Sequence, residues 1–407
     1  MIQQANPKEI TKLRIYKNES FAGTLERTST GCRLSFDGSF LQNSKNNELA
    51  YCIKKSNSPL HTYGTNLPPF FAGLLPEGLR FKTLIRAIKT SEDDLFSLFA
   101  ATGSQCIGDV YAKETILPPE LAKPSLHEID FYRFFNLLCK IPYGFSEESI
   151  AGVQEKISAS MINFPFHIAK KKLAYILKLN PKEYPNLIEN EFQCLQIAKK
   201  CGIPTNNARI IYDKNKNSGL LIERFDRYFD CEEYKLKMIH QEDACQFMNL
   251  YPADKYRISI NQIAETMRSI TTAPPLEVLK LIRLYSFSYL LGNGDLHAKN
   301  ISLFTHPKTQ RIEMTLVYDL ICTFIYGDKK MALKLDGRDD NFKLKHIVEF
   351  AKRFDIPEKA CVSMIQKLLY NFQKQALHLF SLPLDKKQSL ALKKMIEKRI
   401  ADMKSLK

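Results

Sequence analysis

Residues 294–300, Gly-Asp-Leu-His-Ala-Lys-Asn, are followed 19 positions after Asn300 by Asp319 in the string Val-Tyr-Asp-Leu. Asp295 could accept the proton of an attacking hydroxyl, and the amide oxygen of Asn300 could share a divalent cation with Asp319. Mg²⁺ suits such a site because it binds a few hard oxygen ligands together with substrate phosphates. The alternative is a polar turn capped by Asp295 and an unrelated Asp319. The spacing favours phosphoryl transfer, because three polar groups within six residues precede an Asp flanked by apolar residues.

The segments around these residues predict how they could meet in one cleft. Leu279 to Leu291 reads as a helix that leads into the polar loop. Ile301 to Phe304 and Met314 to Val317 read as a hairpin that returns the chain to Asp319.

Lys178 stands in an otherwise apolar predicted strand, Tyr175 to Leu179. We interpret Lys178 as a phosphate-binding ammonium oriented by a carboxylate of the next predicted helix, either Glu191 or Glu189. An edge-strand lysine that reaches solvent is the alternative.

Two further segments could bind a nucleotide. The loop Ser149-Ile150-Ala151-Gly152-Val153-Gln154-Glu155-Lys156 could turn backbone N–H groups toward phosphates, with Lys156 adding charge, although an ordinary turn has the same composition. Glu223 to Arg227 leaves a strand where two lobes would join, so its backbone could pair with adenine and Asp226 could reach the ribose. A surface strand end with compensating charges is the alternative there.

The composition sets wider limits. The chain has 407 residues and a net charge of +15, which favours acidic partners in general but identifies none. Ten cysteines occur without a CxxC pair, so zinc clusters are disfavoured and reduced thiols in a cytoplasmic protein are expected. We see no secretory signal and no apolar stretch long enough to cross a bilayer. The motifs of serine hydrolases, zinc proteases and dinucleotide-binding domains are absent as well.

These patterns predict an α+β protein in three parts: a β-rich N-terminal subdomain, a block of short strands with one helix, and a mainly helical C-terminal part. We place these parts at 1–115, 128–230 and 231–407. Pro118, Pro119 and Pro124 mark a linker between the first two.

Taken together, the motifs resemble the HipA family, the kinase halves of bacterial toxin–antitoxin pairs. The resemblance rests on the order and spacing of short segments over most of the chain. Besides those above, they are Leu74-Leu75-Pro76-Glu77, Gly103 with Ile107-Gly108-Asp109, Ile222 to Arg227 and Gln241 to Gln246.

The resemblance implies a two-lobed protein-kinase-like fold with an extra β-rich N-terminal subdomain, in which 128–230 is the kinase N-lobe and 231–407 the C-lobe. It also implies a role for each site residue. Asp295 would be the catalytic base, with Asn300 and Asp319 binding Mg²⁺ and Lys178 contacting the ATP phosphates. The loop Ile150 to Lys156 would cover the phosphates. Glu223 and Phe225 would hold adenine mainly through backbone, and His297 and Tyr318 would lie near the nucleotide. Ser149 falls where family members phosphorylate themselves, which expels the loop and silences the enzyme.

The resemblance also implies partners. The substrate would be a protein hydroxyl, for example on an aminoacyl-tRNA synthetase. The inhibitor would be a separate helix-turn-helix antitoxin, and the protein would contact DNA only through that antitoxin. One departure is Leu296, which stands where the family commonly has glycine and makes the loop similar to that of aminoglycoside and choline kinases. A small-molecule phosphotransferase is therefore an alternative. A non-catalytic binding module is another, but it would need the loss of Asp295, Asn300, Asp319 or Lys178.

Overall fold

The computed structural model describes residues 6–43, 48–64, 67–104, 106–113, 129–133, 162–167, 174–181 and 184–404. Their helices and strands are arranged as the sequence predicts, in an α+β fold with several small sheets. No helix in these ranges is long and apolar enough to cross a membrane.

A five-stranded antiparallel sheet forms the N-terminal subdomain, in the order β4-β3-β2-β1-β5. Its inward side chains alternate with exposed ones, as in a sheet with one face on a core: Leu13 and Ile15 are buried in β1. Four short helices cover that face. The strands are β1 Lys12–Lys17, β2 Ser20–Thr28, β3 Gly31–Phe36, β4 Leu60–Tyr63 and β5 Val110–Lys113, and the helices are α1 Gly38–Gln42, α2 Pro69–Gly73, α3 Gly78–Ile88 and α4 Leu95–Thr102.

The N-lobe is a four-stranded antiparallel sheet in the order β6-β7-β9-β8, with one helix packed against it. Leu187 and Ile188 of that helix pack against Leu220 and Ile222 of the sheet. The apolar spacing of the sequence predicts this helix over Asn190 to Cys201, and the structure begins it three residues earlier. The strands are β6 Ile162–His167, β7 Ala174–Leu179, β8 Ala208–Tyr212 and β9 Ser218–Glu223, and the helix is α5 Leu187–Lys200.

Two small sheets follow. The hairpin of β10 Arg227–Asp230 and β11 Lys235–Met238 was not predicted. The second sheet joins β12 Gln241–Asp243, β13 Ser302–Thr305 and β14 Ile312–Met314, in that order. Its predicted hairpin is confirmed, but the last strand lies earlier than Met314 to Val317. The reason is that the Val317 N–H bonds the carbonyl of Pro204 instead of continuing the ladder.

The C-lobe is built around helix α8, Pro274–Leu291, most of whose side chains from Leu281 onward are buried. A helix apolar on all sides belongs in a core, and the other helices of the lobe surround it. They are α6 Ala244–Phe247, α7 Ile260–Ile270, α9 Leu344–Lys352, α10 Glu358–Gln375 and α11 Lys386–Lys404. The catalytic-loop candidate begins where α8 ends.

Helix α8 ends at Gly292, which has φ +78° in the left-handed region. A Cβ added there would lie 2.8 Å from Phe324 Cβ and 2.9 Å from Met395 Cε. We expect Gly292→Ala to lower the free energy of unfolding by about 2 kcal/mol or more, because left-handed backbone strain adds to a core clash. Urea unfolding followed by circular dichroism measures this loss.

Two controls separate the causes. Gly327 has a backbone φ of +101°, but no atom lies within 4 Å of a Cβ added there. Gly327→Ala should therefore show backbone strain without a clash. Gly38→Ala has neither and should be nearly neutral. A Gly292→Ala variant as stable as Gly38→Ala would contradict this account of the helix end.

Candidate active site

The loop after α8 holds Asp295 by contacts from within the loop and from outside it. The Asp295 N–H donates to Asn293 Oδ1 at 3.1 Å, and the Nδ2 of Asn300 donates to the Asp295 carbonyl at 3.1 Å. The carboxylate Oδ1 accepts a hydrogen bond from the Tyr256 hydroxyl at 2.9 Å. Asp295 is 3% exposed. The carboxylate therefore has a defined orientation in a largely buried loop.

Asn300 and Asp319 offer oxygen ligands of the kind that Mg²⁺ prefers. Because the Asn300 amide nitrogen is used inside the loop, its amide oxygen is the end available to a cation. The Asp319 side chain is 35% exposed, on a backbone with φ +53°. Within the described ranges no group of three or more His, Cys, Asp or Glu could hold a metal ion by itself. This donor set fits Mg²⁺, which commonly takes one or two carboxylates and completes its shell with phosphate and water.

Lys178 lies inside the cleft and not at a sheet edge, because β7 has neighbours on both sides. Its Nζ lies 2.7 and 2.9 Å from the two carboxylate oxygens of Glu191 and also pairs with Asp319 Oδ1. Burial alone would lower the pKa of Lys178, but the charges of Asp319 and Glu191 outweigh it and raise the pKa. Of the two carboxylates considered, Glu191 is the partner, since Glu189 accepts instead from the Ser218 hydroxyl at 2.7 Å.

The strand end after β9 sits at the junction of the lobes. The Glu223 N–H donates to the Asn207 carbonyl at 2.9 Å, and the Glu223 carbonyl accepts from Asn206 Nδ2 at 3.1 Å. That carbonyl keeps a second lone pair. The Phe225 ring lies 6.1 Å from the Tyr318 ring, so two aromatic faces flank the junction. Adenine binding by Glu223 and Phe225 stays a prediction.

Asp226 is buried and already engaged. Its carboxylate accepts from Arg224 at 2.6 Å, from Arg227 at 2.8 Å and from the Gly108 N–H of the N-terminal subdomain at 3.0 Å. Burial alone would raise the pKa of Asp226, but the charges of Arg224 and Arg227 outweigh burial, so the pKa is lowered. Ribose binding by Asp226 stays a prediction, and a ribose hydroxyl would have to compete with these donors.

His297 belongs to the loop at 294–300, and Tyr318 contacts that loop. Burial and the charge of Lys255 lower the pKa of His297 to about 4, so the imidazole is neutral near pH 7. Its Nδ1 is buried and has no hydrogen-bond partner among the residues described. The Tyr318 hydroxyl donates to the Lys299 carbonyl at 2.9 Å. Contact of either residue with a nucleotide stays a prediction.

Ser149 and the loop Ile150 to Lys156 lie outside the described residues. Their predicted roles, as phosphate cover and as a site of self-modification, are not tested by the geometry.

Three residues that the sequence analysis gave no role lie against the loop at 294–300, and a fourth, Lys299, belongs to that loop. They join it to the N-terminal subdomain and to the segment before α7 through ion pairs and a hydrogen bond. Glu77 had been quoted only as part of a motif, and Lys299 only as a member of the loop. Sequence spacing carried no signal for pairs so far apart in the chain. The residues are Glu77, Lys255, Tyr256 and Lys299.

Comparison with known proteins identifies the family. The HipA N-terminal domain matches residues 13–113, and the HipA-like C-terminal domain matches residues 148–376. The protein Y4mE of Sinorhizobium fredii is 29% identical over 293 residues, which are 66% of this chain and 68% of that protein. The serine/threonine-protein kinase toxin HipA of Shewanella oneidensis is 25% identical over 338 residues, 76% of this chain and 77% of that one.

A solved structure shares the fold. It contains HipA of Shewanella oneidensis with HipB and its operator DNA, and its match has a TM-score of 0.73 at 21% identity and covers 96% of both chains. The C-terminal family match alone spans more than half of the 407 residues. With the kinase-like fold and the N-terminal match, it establishes that this chain belongs to the HipA family.

Proposed function

We propose that this protein is an ATP- and Mg²⁺-dependent serine/threonine protein kinase of the HipA toxin type. The observation that carries the proposal is that two pairs of residues meet around His297, whose electrostatic neighbours include both Asp295 and Asp319. Lys178 pairs with Asp319, and Asn300 is bonded to the backbone of Asp295. A bound Mg²⁺ would screen the charge of the ATP phosphates, with Asn300 and Asp319 as its protein ligands.

The chain's own residues would then perform the remaining steps. Asp295 accepts the proton of a serine or threonine hydroxyl as the hydroxyl oxygen bonds the γ-phosphorus, and the bond between that phosphorus and the bridging oxygen breaks to release ADP. Lys178, held by Glu191, binds phosphate oxygens. His297, neutral near pH 7, is no rival cation in the cleft.

The biological setting is part of the proposal. An aminoacyl-tRNA synthetase is the proposed class of target, and a helix-turn-helix antitoxin the proposed inhibitor, with DNA contacted only through it. The antitoxin is supported by the Shewanella relative, whose structure contains HipB and its operator DNA. We place the enzyme in the cytoplasm. The small-molecule alternative is not carried further, because both HipA domains match in this chain.

The chain should transfer phosphate to itself. After incubation with ATP and Mg²⁺, intact-mass analysis should show one added phosphate on the wild-type chain and none on Asp295→Ala or Asp319→Ala, because both carboxylates act on transition-state charge. Tandem mass spectrometry should place the phosphate on Ser149, whose modification adds roughly −1.5 to −2 charge beside the phosphate site.

The matched control is Glu349→Gln, an exposed carboxylate of α9 that should modify itself normally. Unchanged self-modification of Asp295→Ala would remove its catalytic assignment. Phosphate at Ser146 alone would overturn the Ser149 switch but leave the kinase function standing.

Lys178→Met should abolish ATP turnover and also destabilise the fold. Glu191 is 0% exposed, and removing its cation leaves a buried carboxylate unpaired, which costs about 3–5 kcal/mol of unfolding free energy. The double variant Lys178→Met/Glu191→Leu should regain much of this stability but no activity. Urea unfolding and an ADP-production assay measure the two effects.

Lys359→Met, at an exposed position of α10, serves as control and should change neither quantity. Recovery of activity in the double variant would show that Lys178 supports only the fold.

Expression of the wild-type chain in a bacterium should arrest growth, and expression of Asp295→Ala should not, because the toxin activity requires phosphoryl transfer. Colony counts after induction, at matched protein levels by immunoblot, give the comparison. Equal toxicity of the two proteins would assign the effect to something other than catalysis.

A further inference from the structure

Tyr256 contacts the proposed base although it belongs to none of the motifs. It follows a short 3₁₀ turn, Pro252–Asp254, and its hydroxyl donates to Asp295 Oδ1 at 2.9 Å. Its ring meets His297 edge-on, with centroids 5.1 Å apart at 74°. Tyr256 is thus fixed against two members of the catalytic loop at once.

The residue before it ties this contact to the N-terminal subdomain. The Lys255 carbonyl accepts from the Ala298 N–H at 3.1 Å, so the backbone of the segment is bonded to the loop. The Lys255 ammonium lies 2.6 Å from Glu77 Oε2 and 5.5 Å from the centre of the Tyr256 ring. The same Glu77 lies 3.4 Å from Lys299, farther along the loop. One carboxylate of the N-terminal subdomain therefore pairs with a lysine of the loop and with a lysine of the segment that carries Tyr256.

We propose that Tyr256 is a positioning residue for phosphoryl transfer, which fixes the Asp295 carboxylate, and that Glu77 holds Tyr256 in place through Lys255. The proposal rests on the proposed function. A carboxylate has two oxygens and can rotate, and the phenol engages Oδ1. The phenol thereby fixes the orientation in which the carboxylate meets the substrate hydroxyl. The charge of Asp295 and a neutral His297 face the phenol directly, and Lys255, Glu77 and Asp328 surround it.

The phenol is suited to this role because it keeps its proton. Burial and the neighbouring charge of Asp295 raise the pKa of Tyr256, so it remains a donor across the pH range of an assay. Glu77, by contrast, keeps its negative charge. Burial would raise its pKa, but Lys299 and Lys255 lower it to about 2. The salt bridge that anchors the segment is therefore present at every pH at which the enzyme would be assayed.

The test is steady-state ADP production by the full chain with ATP and Mg²⁺. Tyr256→Phe should lower kcat about 10- to 100-fold, because a base displaced by about 1 Å loses rate of that order. KM for ATP and the thermal midpoint should stay unchanged. Tyr212→Phe, an exposed tyrosine of β8, is the matched control and should match the wild type.

A double-variant comparison tests the link to the N-terminal subdomain. Glu77→Gln should lower kcat in the same way but less, and Tyr256→Phe/Glu77→Gln should lose little more than Tyr256→Phe alone, since the two act through one contact. Fully additive losses would overturn the role given to Glu77. A Tyr256→Phe variant with wild-type kcat, while Asp295→Ala is inactive, would overturn the positioning role alone. If Asp295→Ala also turns over normally, the proposed function fails with it.

Discussion

A charge removed from water needs a partner of opposite sign, and this constraint shapes the region around the cleft. Buried cations around the site meet carboxylates, in most cases from a distant part of the chain. The clusters are Lys178 with Glu191 and Asp319, Lys299 with Asp243 and Glu77, Lys17 with Asp109 beside His240, and Arg224 and Arg227 with Asp226. The first three clusters close only when distant segments meet, and Asp226 of the fourth accepts from the distant Gly108 N–H. The same contacts therefore hold the subdomains together and orient the groups of the site.

Ion pairs join the N-terminal subdomain to the loop at 294–300 and its surroundings. Hydrogen bonds from side chains to backbone carbonyls of the subdomain add to them. Lys299 donates to the Gly73 carbonyl at 3.1 Å, and Gln246 donates to the Phe70 carbonyl at 3.1 Å. Gln246 also completes a capping box with Asp243 at the start of α6. The Gln241 to Gln246 segment, which the sequence offers only as a family resemblance, therefore has a structural reason: it connects helix α2, Pro69–Gly73, with the loop.

Local sequence patterns predicted much of the fold and of the site. They did not predict contacts between residues that are far apart along the chain. Alternation in β1 to β3 and the apolar run of β7 are encoded within a few residues, as is the spacing from Asp295 to Asn300. The choice of Glu191 over Glu189 depends on the helix's rotation against the sheet, which a sequence window does not contain. The contact of Glu77 with Lys255 joins residues 178 positions apart. The hairpin β10–β11 was missed because each strand has only four residues, and Arg227–Asp230 shows no alternation of polar and apolar residues.

The cluster around His240 has a consequence for how the chain is made on the ribosome. Strand β5 must emerge before the N-terminal sheet can close on β1, and Asp109 can then pair with Lys17 at 3.2 Å. His240, which lies 2.7 Å from Asp109, is synthesised 131 residues later. At cellular elongation rates this interval is on the order of ten seconds. During this interval the ion pair of Lys17 and Asp109 is not yet covered by His240 and is in contact with water. Charged groups of this kind resist premature association of nascent chains.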